Sequence, residues 1–258
     1  MSHEFPTDRG SSSLEHAFDS PEAKLSHNRV LFSSIAARYD LITRILSFGC
    51  DQRWKRRLIE LSMVRRGDAV IDLACGTGDL AFLSAGRGAI VAGLDLTTRM
   101  LEMARVRPEA AAQRVLWVAG DMTRLPFRAA TADVVTTGYG LRNVPDLPAA
   151  LSEIHRVLKP GGRLCVLDFN RPERALVRGV YLAYLNVVGG ALGWILHRDP
   201  ETYQYIPASI RRYPGARGVV DLMKAAGLTD VRHISVFGGF MAIHIAVRPS
   251  WAGPSGPA

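Results

Sequence analysis

The sequence predicts an α/β fold: an open, mostly parallel sheet with helices on both faces. Three observations carry this. From Ala69 onward, short apolar runs alternate with helical stretches, the pattern of a parallel sheet covered on both sides. The first unit, Val70-Ile71-Asp72-Leu73-Ala74-Cys75-Gly76-Thr77-Gly78-Asp79-Leu80, passes from a buried strand through a glycine-rich turn into a helix. Asp72, Asp95 and Asp121 stand at the ends of the first three apolar runs. Such sheets bind ligands just outside the carboxyl ends of their strands, so these acids, with Arg142, mark the candidate site.

Residues 1–27 are polar, include Ser11-Ser12-Ser13, and are expected to form a mobile tail. Residues 30–40 are apolar at helical spacing and continue through residues 41–48. The basic run Arg53-Trp54-Lys55-Arg56-Arg57-Leu58-Ile59 completes an N-terminal helical cap and reads as a solvated helix face rather than a binding patch. The first strand, Ala69–Leu73, leads to a helix from Asp79. A second strand over residues 89–94 ends in Asp95, and Thr97 is placed to cap the helix that runs to Arg107. Strand Val115–Ala119 is followed by Gly120-Asp121-Met122. A strand over residues 133–137 runs into Gly138-Tyr139-Gly140-Leu141-Arg142-Asn143. A helix over residues 147–158 is stopped by Pro160-Gly161-Gly162, and a strand over residues 163–169 follows. A last helix over residues 214–226 precedes a hairpin of residues 231–237 and 241–247 around Gly238-Gly239, which adds an antiparallel edge. One domain is thus expected over residues 28–249, with a helical insertion at 170–215 and a tail at 250–258.

A chain of 258 residues with 48% hydrophobic and 22% charged residues can bury the core of such a domain. The net charge of +8 suits nucleic acid or an anionic membrane, but arginine-rich coding bias gives the same excess, so it decides little. Cys50, Cys75 and Cys165 form no C-x-x-C pair and read as reduced, cytosolic thiols; the seven histidines show no metal-ligand spacing, and no metal is expected. The first residues lack the basic-then-apolar order of a signal peptide. Residues 179–196 carry no charge over 18 positions, the lower edge of a bilayer span, but they contain Asn186 and the glycines 179, 189, 190 and 193. A buried or pocket-lining helical pair is the expectation there. Arg174, Arg178 and Arg198 flank it and suit rest on an anionic membrane surface.

The glycine turn admits two ligands. Gly76-x-Gly78-x-x-Ala81 satisfies the dinucleotide fingerprint. A pyrophosphate would meet Asp79 in the first helical turn, and residues 67–86 carry Asp68, Asp72 and Asp79 with no Lys or Arg. That suits a ligand with cationic groups and no phosphate, and S-adenosylmethionine, with its sulfonium and ammonium, is such a ligand. Asp95 lies 17 residues past Gly78, near the spacing of a ribose-binding carboxylate; helix capping is its alternative role. Asp121 and Met122 are placed for an adenine ring, a weaker signal because Asp is common in such loops. An ordinary strand–turn–helix junction with capping acids would show the same pattern.

Several segments resemble the ubiquinone/menaquinone-biosynthesis C-methyltransferases. They are Phe32-x-x-Ile35-Ala36-x-x-Tyr39-Asp40, Ser47-Phe48-Gly49 with Trp54-Lys55, and Asp72 through Asp79. Leu125-Pro126-Phe127, Gly140-Leu141-Arg142-Asn143-Val144, Arg156 through Gly162, Tyr203-x-Tyr205-Ile206-Pro207-x-Ser209-Ile210 and Gly238-Gly239 before Ala242-Ile243-His244 continue the match. Departures are Thr43 for Asn, Cys75 for Gly, Asp168-Phe169-Asn170 for Glu-Phe-Ser, and Gly138 for a cofactor-contacting Ser. The resemblance implies a Rossmann-like S-adenosylmethionine-dependent methyltransferase with a seven-stranded sheet, its last hairpin inserted at one edge. It implies a cofactor site of Tyr39, Asp72, Gly76, Thr77, Gly78, Asp95, Asp121, Met122 and Gly138. It further implies methylation of a ring carbon of a polyprenylated quinol, by a cytoplasmic enzyme peripherally associated with the membrane and without nucleic acid. Arg142 would favour phenolate character at the ring and Asn143 would hold an oxygen; His155 and His244 are alternative bases that read as packing groups. A non-enzymatic binding protein and an NAD-linked oxidoreductase remain the rival classes. The ring (benzoquinol, naphthoquinol or both), the prenyl length and a homo-oligomeric state are left open.

Overall fold

β1 (Ala69–Leu73) is the strand around which the sheet is laid, because both of its faces find apolar cover. Successive side chains of a strand point to opposite faces. Val70 packs with Val91, Val134 and Ala81 on one side, while Ile71 and Leu73 join Leu151, Ile154, Val219 and Met223 on the other. The computed structural model describes Leu14, residues 16–197 and residues 204–250, with backbone alone at 196 and 197. The strand order is β3 (Val115–Ala119), β2 (Ile90–Asp95), β1, β4 (Ala132–Gly138), β5 (Leu158–Phe169), β7 (Met241–Val247), β6 (Thr229–Val236). β7 runs antiparallel to both β5 and β6, so the expected hairpin closes the sheet with β6 at the edge. Chain order reverses between β1 and β4, and that switch point opens a crevice at the carboxyl ends of both strands.

The helices α4 (Asp79–Ala85), α5 (Thr98–Arg105), α6 (Leu147–Val157) and α9 (Gly215–Ala225) lie where the alternation places them. The Asp146 carboxylate starts α6 by accepting from the Ala149 amide at 2.9 Å. Two boundaries differ. Pro160-Gly161-Gly162 does not separate α6 from a later strand: the backbone is extended from Leu158, and the ladder to β4 passes from Leu158 directly to Arg163. Thr97 is the N-cap residue of α5, but its hydroxyl makes no capping bond to the helix.

The N-terminal cap comprises α1 (Pro21–Ile35), α2 (Tyr39–Leu46) and α3 (Asp51–Ser62). Its first helix corrects the expected tail, since structure begins before residue 28. Ser20 caps α1 by accepting from the Ala23 amide at 3.0 Å, Pro21 fits the first turn, and Ala17 is buried. The segment has few apolar anchors because hydrogen bonds seat it. Lys24 Nζ donates to the Arg142 and Val144 carbonyls at 3.1 and 2.7 Å, and Asn28 Nδ2 donates to the Asn143 carbonyl at 2.7 Å. Residues 1–13, most of the expected C-terminal tail, Arg198 and Tyr203 lie outside the described residues.

The apolar segment is one helix, α7 (Ala175–His197), and not a buried pair. Tyr181 and Leu185 face inward against Ile35, Ile42 and Leu46, with Ile210 of α8 (Tyr205–Arg212). Leu176, Val180, Val187, Trp194 and Ile195 face outward, each more than 60% exposed. By length and composition Ala175–Ile195 could cross a membrane.

Asn28→Ala removes the partner of a carbonyl in the 142–144 turn, and the loss of such a bond costs about 1–2 kcal/mol. Urea unfolding should show that loss, with faster amide exchange at residues 142–144. Unchanged exchange there would mean that α1 does not hold the turn.

Candidate active site

Three cavities meet at the switch point, and Tyr39 and Tyr139 line all three. The first, about 690 Å³, is walled by Gly76, Asp95, Met100, Asp121, Met122, Gly138 and Asn143. The second, about 340 Å³, is smaller and charged, with Lys55, Asp72, Thr77 and Asp79. The third, about 710 Å³, is apolar, with Phe32, Ile42, Leu46, Trp54, Phe169, Tyr181 and Met241.

Asp95 shapes the glycine turn. Its two carboxylate oxygens accept from the Gly76 and Thr97 amides, both at 2.8 Å. Gly78 donates its amide to the Cys75 carbonyl at 2.9 Å. Two amides of the turn are therefore committed inside the protein and are not offered to a phosphate. Thr77 Oγ1 donates to Asp40 at 2.9 Å, which ties the turn to α2. Gly76 (φ +54°) lines two of the cavities. Gly78 (φ +93°) lines none of the three: a Cβ there would stand 2.6 Å from the Trp117 ring. Backbone conformation and packing against Trp117 by themselves require glycine there. Asp72 is fully buried, accepts from Thr136 Oγ1 at 2.8 Å, and has its carboxyl pushed up to about 7, chiefly by burial. Asp121 bonds the Thr123 amide at 2.8 Å and Met122 is buried, both on the first cavity as expected.

The charge balance of the turn needs correction. Residues 67–86 hold no cation of their own, yet Asp79 is clamped by Lys55 at 2.7 Å and Arg107 at 2.5 Å, with Gln52 at 2.6 Å. Burial works against ionisation, but the two cations prevail and hold Asp79 down at about 2. Asp79 therefore carries no uncompensated repulsion; the committed amides, rather than this acid, argue against a pyrophosphate. Lys55 also pairs with Asp51 at 3.3 Å and lies 5.5 Å over the Tyr139 ring. It is buried in the small cavity although its neighbours Arg53, Arg56 and Arg57 are solvated, and only the Trp54-Lys55 motif signalled it.

Arg142 and Asn143 line different cavities. Arg142 lines the apolar cavity, but its guanidinium pairs with buried Asp168 at 2.9 Å and donates to the Tyr139 carbonyl at 2.7 Å. It also stacks 4.6 Å from the Phe169 ring centre, and its Nε is buried without a partner. Asn143 lines the first cavity instead, with Nδ2 on the Tyr139 carbonyl at 2.9 Å and Oδ1 unpartnered. Tyr139 is held at φ +61°, a conformation that side-chain-bearing residues seldom adopt, and its hydroxyl is buried without a partner. His155 and His244 line none of these cavities. His244 bonds the Ala216 carbonyl at 3.1 Å, and burial pulls it down to about 4. Among the described residues, no carboxylate or histidine lines the apolar cavity.

Known proteins place this geometry. Similar in fold are a methyltransferase described as a possible histamine N-methyltransferase from Thermotoga maritima (TM-score 0.61, 19% identity, 85% of this chain and 99% of that one) and a putative S-adenosylmethionine-dependent methyltransferase from Methanococcus maripaludis (TM-score 0.59, 18% identity, 86% and 95%). In sequence, the demethylmenaquinone methyltransferase of Thermus thermophilus is 41% identical over 221 residues, 85% of this chain and 100% of that one. A ubiquinone/menaquinone biosynthesis C-methyltransferase of Rubrivivax gelatinosus is 38% identical over 230 residues, 89% and 90% of the two chains. The model of one family matches residues 20–248, from the cap of α1 to the end of the sheet. The chain belongs to the ubiE/COQ5 methyltransferase family.

Proposed function

We propose that this protein transfers the methyl group of S-adenosylmethionine to a ring carbon of a polyprenylated quinol. The supporting observation is the meeting of a two-part acidic pocket with an apolar cavity at Tyr39 and Tyr139. The pocket residues suit the cofactor. Asp95 offers a buried carboxylate for ribose hydroxyls, Asp121 and Met122 flank the adenine side, and the unpartnered Asn143 Oδ1 gives a further acceptor. In the small cavity, Asp72 suits the ammonium and Lys55 the carboxylate of the amino-acid end. Bound there, S-adenosylmethionine supplies a methyl group on a positively charged sulfur, an electrophile for an electron-rich ring. The relatives from Thermus thermophilus and Rubrivivax gelatinosus, by their names, support a naphthoquinol or a benzoquinol as the ring.

The chain's part is to bind and orient. Aligning two bound reactants contributes on the order of 7–11 kcal/mol to a bimolecular step. The apolar walls exclude water, so each remaining polar contact acts in a low dielectric. Arg142 is half of a neutralised pair, and the phenolate therefore gains less from it than from a free guanidinium. Its unpartnered Nε gives the ring oxygen a donor, and the Asp168 pair fixes that donor in place.

We also place the protein at a membrane surface, since its substrate resides there. α7 covers the apolar cavity with Tyr181 and presents its outer stripe of Leu176, Val180, Val187, Trp194 and Ile195 to the exterior. A helix with such a stripe and basic residues at its start suits the interface of a bilayer.

Asp95→Ala should raise the S-adenosylmethionine dissociation constant tenfold or more, about 1.4 kcal/mol; a folded variant with unchanged affinity in calorimetry would remove Asp95 from the site. Asp72 must be ionised to receive an ammonium. Affinity should therefore rise as pH passes upward through about 7, with proton release on binding, and Asp72→Asn should flatten that dependence. A flat profile in the native chain would separate Asp72 from the ligand.

The reaction itself is tested with methyl-labelled S-adenosylmethionine and purified quinols. Label on the ring carbon is expected; none on either quinol class would refute the proposal. Val187→Asp with Trp194→Asp should lower turnover on a long-tailed quinol much more than on a tail-less analogue. Equal losses would make α7 an ordinary scaffold helix.

A further inference from the structure

A second feature lies outside the three cavities. Between the start of α7, the first turn of α9 and the 238–239 turn runs an open crevice of about 1530 Å³. Arg171, Arg174, Arg178 and Arg217 line it, with His233 and one acid, Glu173. Glu173 is taken by Arg217 at 2.8 Å. Arg178 donates to the Pro172 carbonyl at 3.3 Å and Arg171 to the Arg211 carbonyl at 3.4 Å, neutral acceptors that leave both charges uncompensated. Among the described residues, no carboxylate pairs with Arg171, Arg174 or Arg178.

The walls are built rather than incidental. Asn170 Nδ2 donates to the Gly239 carbonyl at 2.8 Å, and its Oδ1 accepts from the Ala216 amide at 2.7 Å. One buried side chain thus ties the 238–239 turn to the start of α9. The arginine cluster touches none of the cavities assigned to methyl transfer. Like charges gathered without acids cost free energy unless an anion offsets them.

We infer that this crevice holds the headgroup phosphate of an anionic phospholipid. Position selects a lipid over other anions. Arg174 and Arg178 stand at the start of α7, and from them the outer apolar stripe runs on to Ile195 with no charged residue between. A phosphate in the crevice sets the headgroup plane at one end of that stripe. Gly238 and Gly239 line the crevice while Phe237, beside them, lines the apolar cavity, so the cavity wall lies next to that plane. Nucleic acid or free phosphate would use the arginines and leave the apolar stripe unused. The inference rests on the membrane reading of α7 and adds the lipid that is recognised.

The test is co-sedimentation of the full chain with vesicles of phosphatidylcholine alone or mixed with phosphatidylglycerol. The native chain should favour phosphatidylglycerol. Arg171→Gln with Arg174→Gln should weaken that preference at least about tenfold, since each arginine near an anionic leaflet contributes about a fivefold factor, and should leave phosphatidylcholine binding unchanged. An unaltered melting temperature and unaltered turnover on a tail-less quinol show that fold and chemistry are intact. Val187→Asp with Trp194→Asp should lower binding to both vesicles, so failure of the α7 reading is distinguished from failure of the crevice. Equal phosphatidylglycerol binding by native chain and arginine variant overturns the inference, as does no vesicle binding at all. Inorganic phosphate that raises the melting temperature of the native chain alone, with no phosphatidylglycerol preference, assigns the crevice to a free anion and also overturns it.

Discussion

The ion pair between Arg142 and Asp168 fixes the architecture of the site. Asp168 lies fully buried one residue before the end of β5, and it accepts from Arg142 Nη1 at 2.9 Å, from the Arg142 amide at 3.1 Å and from the Phe169 amide at 2.7 Å. A buried pair repays its desolvation only when its remaining polar atoms are satisfied; both Asp168 oxygens are, and Arg142 Nε alone is left over. Arg142 passes the constraint on by holding the Tyr139 carbonyl, which sets Tyr139 at the junction of the cavities in its left-handed conformation. The 142–144 carbonyls are in turn the acceptors for Lys24 and Asn28, so α1 is seated by the same turn. Removing Asp168 would leave a buried cation and release a strained tyrosine and a helix.

The second constraint is the compensation of Asp79. A helix that opens with an acid is favourable for its dipole, yet the same acid borders the small cavity. Lys55 from α3 and Arg107 from beyond α5 close over it, bonding the glycine turn to elements on either side. Lys55 also reaches Asp51 and the Tyr139 ring, so the cofactor side and the junction share one buried cation.

What the sequence disclosed follows from the range of the forces involved. The sheet was legible because strand and helix periods are local, and the acids at strand ends inherit their position from it. Asp72, Gly76, Thr77, Asp95, Asp121, Met122 and Gly138 line the first and second cavities on that ground. Gly78 lines none of the three cavities, and a glycine demanded by the Trp117 ring looks like one demanded by a ligand in sequence. Lys55 and Arg107 were missed because they meet Asp79 across 24 and 28 positions. The pairing of Arg142 with Asp168 spans 26, and no local pattern announces it. The first half of α1, read as tail up to residue 27, was hidden for a related reason: it is seated by the hydrogen bonds of Lys24 and Asn28, which leave little hydrophobic signal, whereas Leu31, Phe32 and Ile35 of its second half pack in an apolar cluster.

α7 shows the opposite limit. Its composition is apolar all round, and such a helix is expected in a core or a bilayer. The structure divides it: Tyr181 lines the apolar cavity and Leu185 packs into the cluster behind it, while Leu176, Val180, Val187, Trp194 and Ile195 remain exposed. At roughly 25 cal/mol per Å² of apolar surface, leaving five such side chains in water forgoes several kcal/mol. The membrane surface proposed for this protein would recover that loss, and the arginines at the start of the helix would set which leaflet chemistry is favoured. On the proposed placement at a membrane, the helix that covers the apolar cavity with Tyr181 is also the helix that meets the lipid, and a tail too apolar for water need never leave the bilayer.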